Sequence, residues 1–377
     1  MTAILGLNSY HGDASACVVV DGVLRSAAEE ERFRRVKHWA GFPSKAIESC
    51  IMEAGIGLSD IDHIAINSDP KANRLGKIAY TLSGRANPSL VLEKLITRGR
   101  RNNPIDELEK RFPDCTINAN IHRVEHHLAH LGSCFLVSPY REAVCVSVDG
   151  FGDFSSAAWG FGREAIVEVD GKVGFPHSLG VFYQAMTQYL GFPRYGDEYK
   201  VMGLAAHGEP MYMDAMRDIV KTQADGTYRL DLSYFRHQRH EIGYEWADGA
   251  PDVSRLYSEK LEALVGPARE QDDPLTKRYK DLARSVQTMY EDALFHLLNH
   301  LYERYQVDTL TLSGGCAFNS VANGNVTSLT PFKRVYIQPA AGDAGGAIGA
   351  AYVAWHRLNG GARSFVMDHA YWGPAFS

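Results

Sequence analysis

The sequence lacks several features that would each point to a definite class of protein. None of its six cysteines (Cys17, Cys50, Cys115, Cys134, Cys145, Cys316) belongs to a C-x-x-C pair. Zinc-ribbon spacing is therefore absent, and no disulfide framework is expected at this length. Positive charge is not in excess: 39 Lys and Arg against 45 Asp and Glu give a formal charge of −6. A general nucleic-acid binder would carry a basic stripe and a high isoelectric point. No apolar run reaches membrane-spanning length. Met1 leads straight into AILGLN, with no basic n-region, apolar h-region or cleavage signal, which predicts a cytoplasmic protein. A G-x-x-x-x-G-K-[ST] phosphate loop is also missing.

What is present suits a large α/β protein. With 377 residues, 45% of them hydrophobic, the chain is too long for one simple core and matches two α/β lobes. AILGLN, SACVVV and VLRSAAEE read as strands, and Asp21-Gly22 between the last two is a hairpin signal. Pro43 opens an amphipathic helix with Ile47, Ile51 and Ala54 on one face. Near residue 143 the pattern returns: LGLNSYHGDASACVVVDG and VSVDGFGDFSSAAWGFG each have a strand ending in Asn or Asp, a Gly-Asp turn, a Ser-Ala pair and a further strand. This predicts an internal duplication, two lobes opening on the same β-turn-β device with their polar turns facing one cleft. The expected division is 1–140 for the first lobe, with a helical insertion, and 141–377 for the second. A polar stretch at about 212–275 is expected to be a loop-rich elaboration that shapes a substrate pocket. From Leu275 a long core helix carries Leu282, Val286, Met289, Ala293 and Leu297; His296 and His300 on it are expected to be ordinary polar positions. The arginines of ITRGRRNNP suit phosphate contact but fit a solvated helix end better.

Residues 125–130 read EHHLAH, three imidazoles in five positions. On a helix, residues four apart project about 40° apart around the axis, so His126 and His130 suit one metal ion; His127 with His130 is the other geometric option. Two histidines do not make a tight site. Asp149, at the end of AVCVSV, and Asp343, in QPAAGDAGG, are the natural carboxylate supplements, although Asp343 could instead cap its helix. A His₂Asp₂ set suits Fe(II), Mn(II) or Zn(II). In NSYHGDASA, His11 or Asp13 could accept a proton from a hydroxyl, His11 being the better match near neutral pH; alternatively Asp13 caps its turn. Lys200 in DEYKVMG can pair with phosphate or, more simply, with the local acids. LSGGCAFNSVANG and QPAAGDAGG each place a Gly-rich turn between a strand and a helix, a device for holding an anion against backbone N–H groups.

Seven ordered motifs, ILGLNSYHGDASACVVVDG, AAEEERFRRVKH, EHHLAH, SVDGFGD, DEYKVMGLAAHG, LSGGCAFNSVANG and QPAAGDAGGAIGAA, resemble the N-terminal, Kae1-like domain of O-carbamoyltransferases of the nodulation-factor and antibiotic-tailoring type. The domain is also similar to tRNA threonylcarbamoyl-transferase and to part of the hydrogenase maturation factors. The resemblance implies the actin/sugar-kinase/Hsp70 superfold, two duplicated RNase H-like lobes around a nucleotide- and metal-binding cleft. It implies a divalent metal, Fe(II) first and Mn(II) or Zn(II) otherwise, on His126, His130, Asp149 and Asp343, which selects His126 over His127. It further implies that the metal holds the phosphate of carbamoyl-adenylate, made from ATP and carbamoyl phosphate. Gly12, Lys200, Gly314, Gly315, Asn319 and Gly342 would contact that adenylate, and His11, Asp13 and Lys37 would serve catalysis, His11 activating the acceptor and Lys37 stabilising charge. A hydroxyl of a small-molecule natural product is the expected acceptor and AMP the product.

Family members usually continue into a YrdC-like domain that forms the adenylate. This chain stops at HAYWGPAFS, so that domain is expected in cis or in trans, leaving only the transfer half-reaction here. Neither nucleic acid nor membrane is an expected partner, and a homodimer is compatible. The competing readings are a sugar-type kinase on the same superfold, which would not need the histidines, and a non-catalytic nucleotide-binding partner of an adenylating protein. The acidic balance and the 212–275 stretch disfavour a tRNA-modifying role.

Overall fold

The structure is a computed structural model that describes residues 1–82, 104–238, 244–245 and 249–375. The arginine cluster of ITRGRRNNP lies outside the described residues. Two five-stranded sheets dominate. The first contains β1 (Ala3–Asn8), β2 (Ser15–Val20), β3 (Val23–Glu29), β4 (His63–Ile66) and β5 (Asn120–Arg123), in the order β3-β2-β1-β4-β5. The second contains β6 (Glu142–Gly152), β7 (Ser155–Arg163), β8 (Ile166–Gly174), β9 (Thr309–Ser313) and β10 (Arg334–Tyr336), in the order β8-β7-β6-β9-β10. In both, the first three strands form an antiparallel meander and the last two add parallel to the first. One strand order and one pattern of directions, occurring twice, establish the duplicated RNase H-like lobes of the actin/sugar-kinase/Hsp70 superfold. The β2–β3 hairpin turns on Asp21 (φ 49°) and Gly22 (φ 80°), the pair of positive φ angles that a two-residue turn of type I′ requires. β1 and β2 are buried on both faces, which accounts for their near-continuous apolar runs.

The outer face of the first sheet is covered by α1 (Ser44–Ala54), which buries Ala46, Ile47, Cys50 and Ile51. The second sheet's outer face carries α5 (Leu179–Tyr189, numbered below) and α8 (Lys277–Tyr305), the latter burying Leu282, Val286, Met289, Ala293 and Leu297. Numbered along the chain, the remaining helices used below are α2 (Arg74–Leu82), α3 (Pro104–Arg111), α4 (His126–Phe135), α6 (Glu198–Ala205), α7 (Met213–Ile219), α9 (Ser320–Leu329) and α10 (Asp343–Asn359). The stretch at 212–275 joins short elements by loops. Its described part contains α7, a helix at Glu259–Val265 and two short strand pairs, and it buries Met216, Ile219, Val220, Tyr228, Leu230, Tyr234 and Phe235 in the second lobe's core. Its polar residues alternate with apolar ones that the sheet's outer layer needs.

Two helices fill the space between the sheets, and each crosses over. α4, which follows the first sheet in sequence, packs on the second sheet; α10, which follows the second, packs on the first. They meet face to face within one apolar cluster that includes Ala129, Leu131, Phe135, Ala347, Ala350, Ala351 and Val353. The crossing is close because of Gly349: a Cβ there would lie 1.8 Å from the Ala129 carbonyl oxygen. Much of the glycine and alanine in AGDAGGAIGAA therefore serves helix packing. The first residues of both helices, His126 and Asp343, arrive at the same place. No described helix is long and apolar enough to cross a membrane.

Candidate metal centre and cleft

α4 begins where the Glu125 side chain accepts a hydrogen bond from the Leu128 N–H (2.9 Å) and pairs with Lys172 (2.9 Å). From its first two turns His126 and His130 project together, 1% and 0% exposed. Their Nε2 atoms face each other at 3.0 Å. Asp149 Oδ2, from β6, lies 3.2 and 3.0 Å from those two nitrogens, and Asp343 Oδ1, from the start of α10, 3.4 and 3.3 Å. All four donor atoms fall within 4.8 Å of one another. Asp343 stands one position past the N-cap Gly342 and so does not cap the helix; its Oδ1 is buried without a hydrogen-bond partner.

Two imidazole lone pairs cannot face each other at this distance unless a proton or a cation lies between them. A tetrahedral ion with bonds of about 2.0–2.1 Å would hold its donors about 3.3 Å apart, close to the spacings seen. The electrostatics agree. Burial pulls the His130 imidazole down, but its hydrogen bond to Asp149 and the negative charge of Asp149 and Asp343 outweigh it and push it up to about 10. His126 is raised against burial by the same two carboxylates. Burial pushes the Asp149 carboxyl up, yet the two histidines hold it well below the usual carboxylate range. The cluster thus favours positive charge at its centre, and its two nitrogens and two hard oxygens fit a divalent ion. His127 is different in kind: fully buried, it hydrogen-bonds Ser147 Oγ through Nδ1 (2.9 Å), and burial pushes it down to about 3.

The two Gly-rich turns border this cluster. Gly314 adopts φ +85°, and a Cβ there would lie 2.2 Å from the Val148 carbonyl oxygen. Gly315 N–H donates to Asp149 Oδ1 (3.1 Å), which also accepts from Gly150 N–H (2.8 Å). Gly342 lies directly before Asp343, against the exposed ring of Phe318. Asn319 caps α9, accepting from Ala322 N–H, and its amide exchanges hydrogen bonds with Gln287, so its side chain is engaged within the fold. Lys200, on α6, pairs with Asp197 at 2.6 Å, the simpler of its two expected roles.

The turn after β1 is tied by Asn8, whose Nδ2 donates to the carbonyls of Gly12 and Asp13 (3.0 and 2.9 Å). His11 lies beside the cluster, its ring centroid 5.9 Å from that of His126. Asp13 reaches His38 Nδ1 at 2.7 Å, and both residues hold left-handed backbone (φ 57° and 55°), a conformation that costs free energy unless its surroundings impose it. Lys37 lies exposed, while His38 turns inward against Tyr195, ring centroids 5.3 Å apart. Burial lowers His38, but the Asp13 carboxylate raises it overall. Burial, followed by the charges of Asp13, Asp343 and Asp149, pushes the Tyr195 hydroxyl well above its usual range. Sequence reasoning missed His38 and Tyr195. The available signal was the crowding of charge in AAEEERFRRVKH, which ends on His38.

Residues 3–352 match the family described as Carbamoyltransferase N-terminus. An uncharacterised protein of Synechocystis, sll1178, is 37% identical over 395 aligned positions, covering 100% of this chain and 61% of its own length. The nodulation protein NolNO of Sinorhizobium fredii is 33% identical over 371, covering 97% of this chain and 50% of its own length. The chain thus spans between half and about three-fifths of these relatives. Among solved structures, component A of the Acidaminococcus fermentans (R)-2-hydroxyglutaryl-CoA dehydratase superposes with a TM-score of 0.46 at 11% identity, over 95% of this chain and 99% of that one.

Proposed function

The chain belongs to the carbamoyltransferase N-terminal family, and from that premise we propose that it transfers a carbamoyl group from carbamoyl-adenylate to a hydroxyl of a small-molecule acceptor, releasing AMP. The family match across nearly the whole chain carries this reading, and the convergence of two histidines and two aspartates from both lobes supports it. A divalent ion, Fe(II) first with Mn(II) or Zn(II) as alternatives, would be held by His126, His130, Asp149 and Asp343 and would supply positive charge for phosphate oxygens.

The chain's own groups account for the remaining steps. The N-terminus of α10 presents backbone N–H groups to an anion, whereas the Gly314 and Gly315 N–H groups are taken by the Ala341 carbonyl and the Asp149 carboxylate. His11, beside His126, accepts the proton of the acceptor hydroxyl. The acceptor oxygen bonds to the carbamoyl carbon, the bond from that carbon to the phosphate oxygen breaks, and its electron pair leaves on AMP. The Asp13–His38 pair, with Tyr195 against the His38 ring, is a second acid–base couple. Exposed Lys37 fits charge stabilisation only at the cleft's rim. Adenylate synthesis is assigned to a YrdC-like domain or partner.

The test supplies the chain with synthetic carbamoyl-adenylate, Fe(II) or Mn(II), and a panel of hydroxyl compounds. The expected products are AMP and a carbamoylated acceptor, with slower carbamoyl transfer to water when no acceptor is present. ADP formed from ATP and acceptor, without AMP from the adenylate, would instead establish a kinase.

A further inference from the structure

The histidines of a metal site are usually held by a hydrogen bond from the ring nitrogen that faces away from the ion. Here that device is missing: Nδ1 of His126 and Nδ1 of His130 are both buried without a hydrogen-bond partner. His126 must be held in another way, and the β6–β7 turn provides it. The imidazole packs so tightly on Gly152 that a Cβ there would fall 1.9 Å from its Cδ2 and 2.4 Å from Nε2. The next residue, Asp153, accepts the His126 backbone N–H at 2.9 Å. The turn itself is strained, since Asp153 and Phe154 both adopt positive φ (46° and 73°), unfavourable for a bulky side chain such as Phe154. Strain of that kind persists where the surroundings over-determine it.

Asp153 also reaches the other lobe. The same carboxylate oxygen accepts the Asp69 N–H (2.8 Å), and the other accepts the Ser68 hydroxyl (3.4 Å). The Asp153 carbonyl takes the Asn73 side-chain amide (2.7 Å), which also donates to Ser155 Oγ (3.0 Å). Ser68, Asp69 and Asn73 follow β4 of the first sheet, whereas Asp153 and Asp149 share the β6–β7 hairpin of the second. One carboxylate therefore ties the first turn of the ligand helix α4, the hairpin that carries Asp149 and the chain leaving the first sheet. Its negative charge at the N-terminus of α4 also suits the helix dipole.

We propose that Asp153 is a positioning residue: through the His126 backbone and the Gly152 cradle it sets the metal ligands, and through Asp69 it links metal binding to closure of the two lobes. The inference rests on the metal reading of the His₂Asp₂ cluster. Loss of a group that orients a ligand typically costs about 10- to 100-fold in metal affinity.

The test titrates the whole chain with Mn²⁺ by calorimetry and follows backbone amide exchange at Asp69. Asp153→Ala should weaken Mn²⁺ binding about 10- to 100-fold, and Asp153→Asn, which keeps an acceptor but loses the charge, should fall between it and wild type. Gly152→Ala should behave like His126→Ala and lose the ion. Mn²⁺ should slow Asp69 exchange in wild type and leave it unchanged in Asp153→Ala, an effect that a purely structural role would not produce. Wild-type Mn²⁺ affinity in both folded Asp153 variants would overturn the proposal and leave the metal reading intact. Failure of the wild-type chain to bind Mn²⁺, Zn²⁺ or Fe²⁺ would overturn both.

Discussion

Replacing Gly349 by alanine asks whether the ligand cluster depends on how closely α4 and α10 approach. A single methyl is added, but it would fall 1.8 Å from the Ala129 carbonyl oxygen and 2.7 Å from the Ser133 nitrogen. Both are backbone atoms of α4, so no side chain can rotate out of the way. Ordinary contact needs about 3.4 Å, and the helices must therefore separate by roughly 1.5 Å or tilt about their crossing point. Overpacking of this kind costs about 1–3 kcal/mol, occasionally more. The same displacement would reach the site, because α10 carries Asp343 at its first residue and α4 carries both histidines. An error of about 1 Å in a preorganised site can cost about a hundredfold in rate. Gly349→Ala should thus lower the urea midpoint, weaken Mn²⁺ binding and slow AMP release together. Unfolding followed by circular dichroism, with calorimetric metal titration, reads the first two. A variant with wild-type stability and wild-type metal affinity would refute the claim that this crossing fixes the site.

Other expectations follow from single residues. His126→Ala, His130→Ala and Asp343→Ala should each abolish stoichiometric metal, measured by elemental analysis after dialysis, whereas His127→Ala should retain it and lose only its hydrogen bond to Ser147. Burial, then the carboxylates of Asp13 and Glu31, push Glu29 up to about 7. A carboxyl raised in this way keeps its proton in the folded chain after the unfolded chain has released it, so stability declines as pH climbs from the unfolded value near 4.5 through about 7. Glu29→Gln should remove that decline, giving a higher urea midpoint than wild type at pH 8 and little difference at pH 4; equal midpoints at pH 8 would count against it.

Much of the architecture is legible in local pattern. Asp21-Gly22 marks a hairpin because its turn needs two positive φ angles, and the helix after Pro43 follows from apolar spacing. The duplication is visible because each lobe must build the same polar turn after the same strand. Other features were hidden because they depend on partners distant in sequence. Nothing in QPAAGDAGGAIGAA says that Gly349 meets a helix two hundred residues earlier, so the segment reads as an anion-holding turn when its Gly349, Ala347, Ala350 and Ala351 are a packing surface. Helical periodicity in EHHLAH leaves two histidine pairs open, and the orientation of His126 depends on Gly152 and Asp153, whose part emerges only once the hairpin and helix are docked. Lys37 and His38 are adjacent in sequence, and the left-handed backbone at His38 decides which of them faces the cleft. The apolar residues at 212–275 are too widely spaced to register as core until α8 and the second sheet gather them.

The exchange of α4 and α10 also bears on how the chain is made. During synthesis the first sheet emerges early, with α1 ready to cover its outer face, while its inner face has no cover until α10 is released. Meanwhile α4, already synthesised, has no sheet to rest on before β6 appears. The first lobe is thus committed to holding an uncovered apolar surface until α10 has been made, a condition that invites chaperone binding and slows closure of long-range contacts. The His₂Asp₂ cluster can form only when α10 docks, so it matures after both sheets are in place, and a nascent chain lacking α10 would display His126, His130 and Asp149 without Asp343.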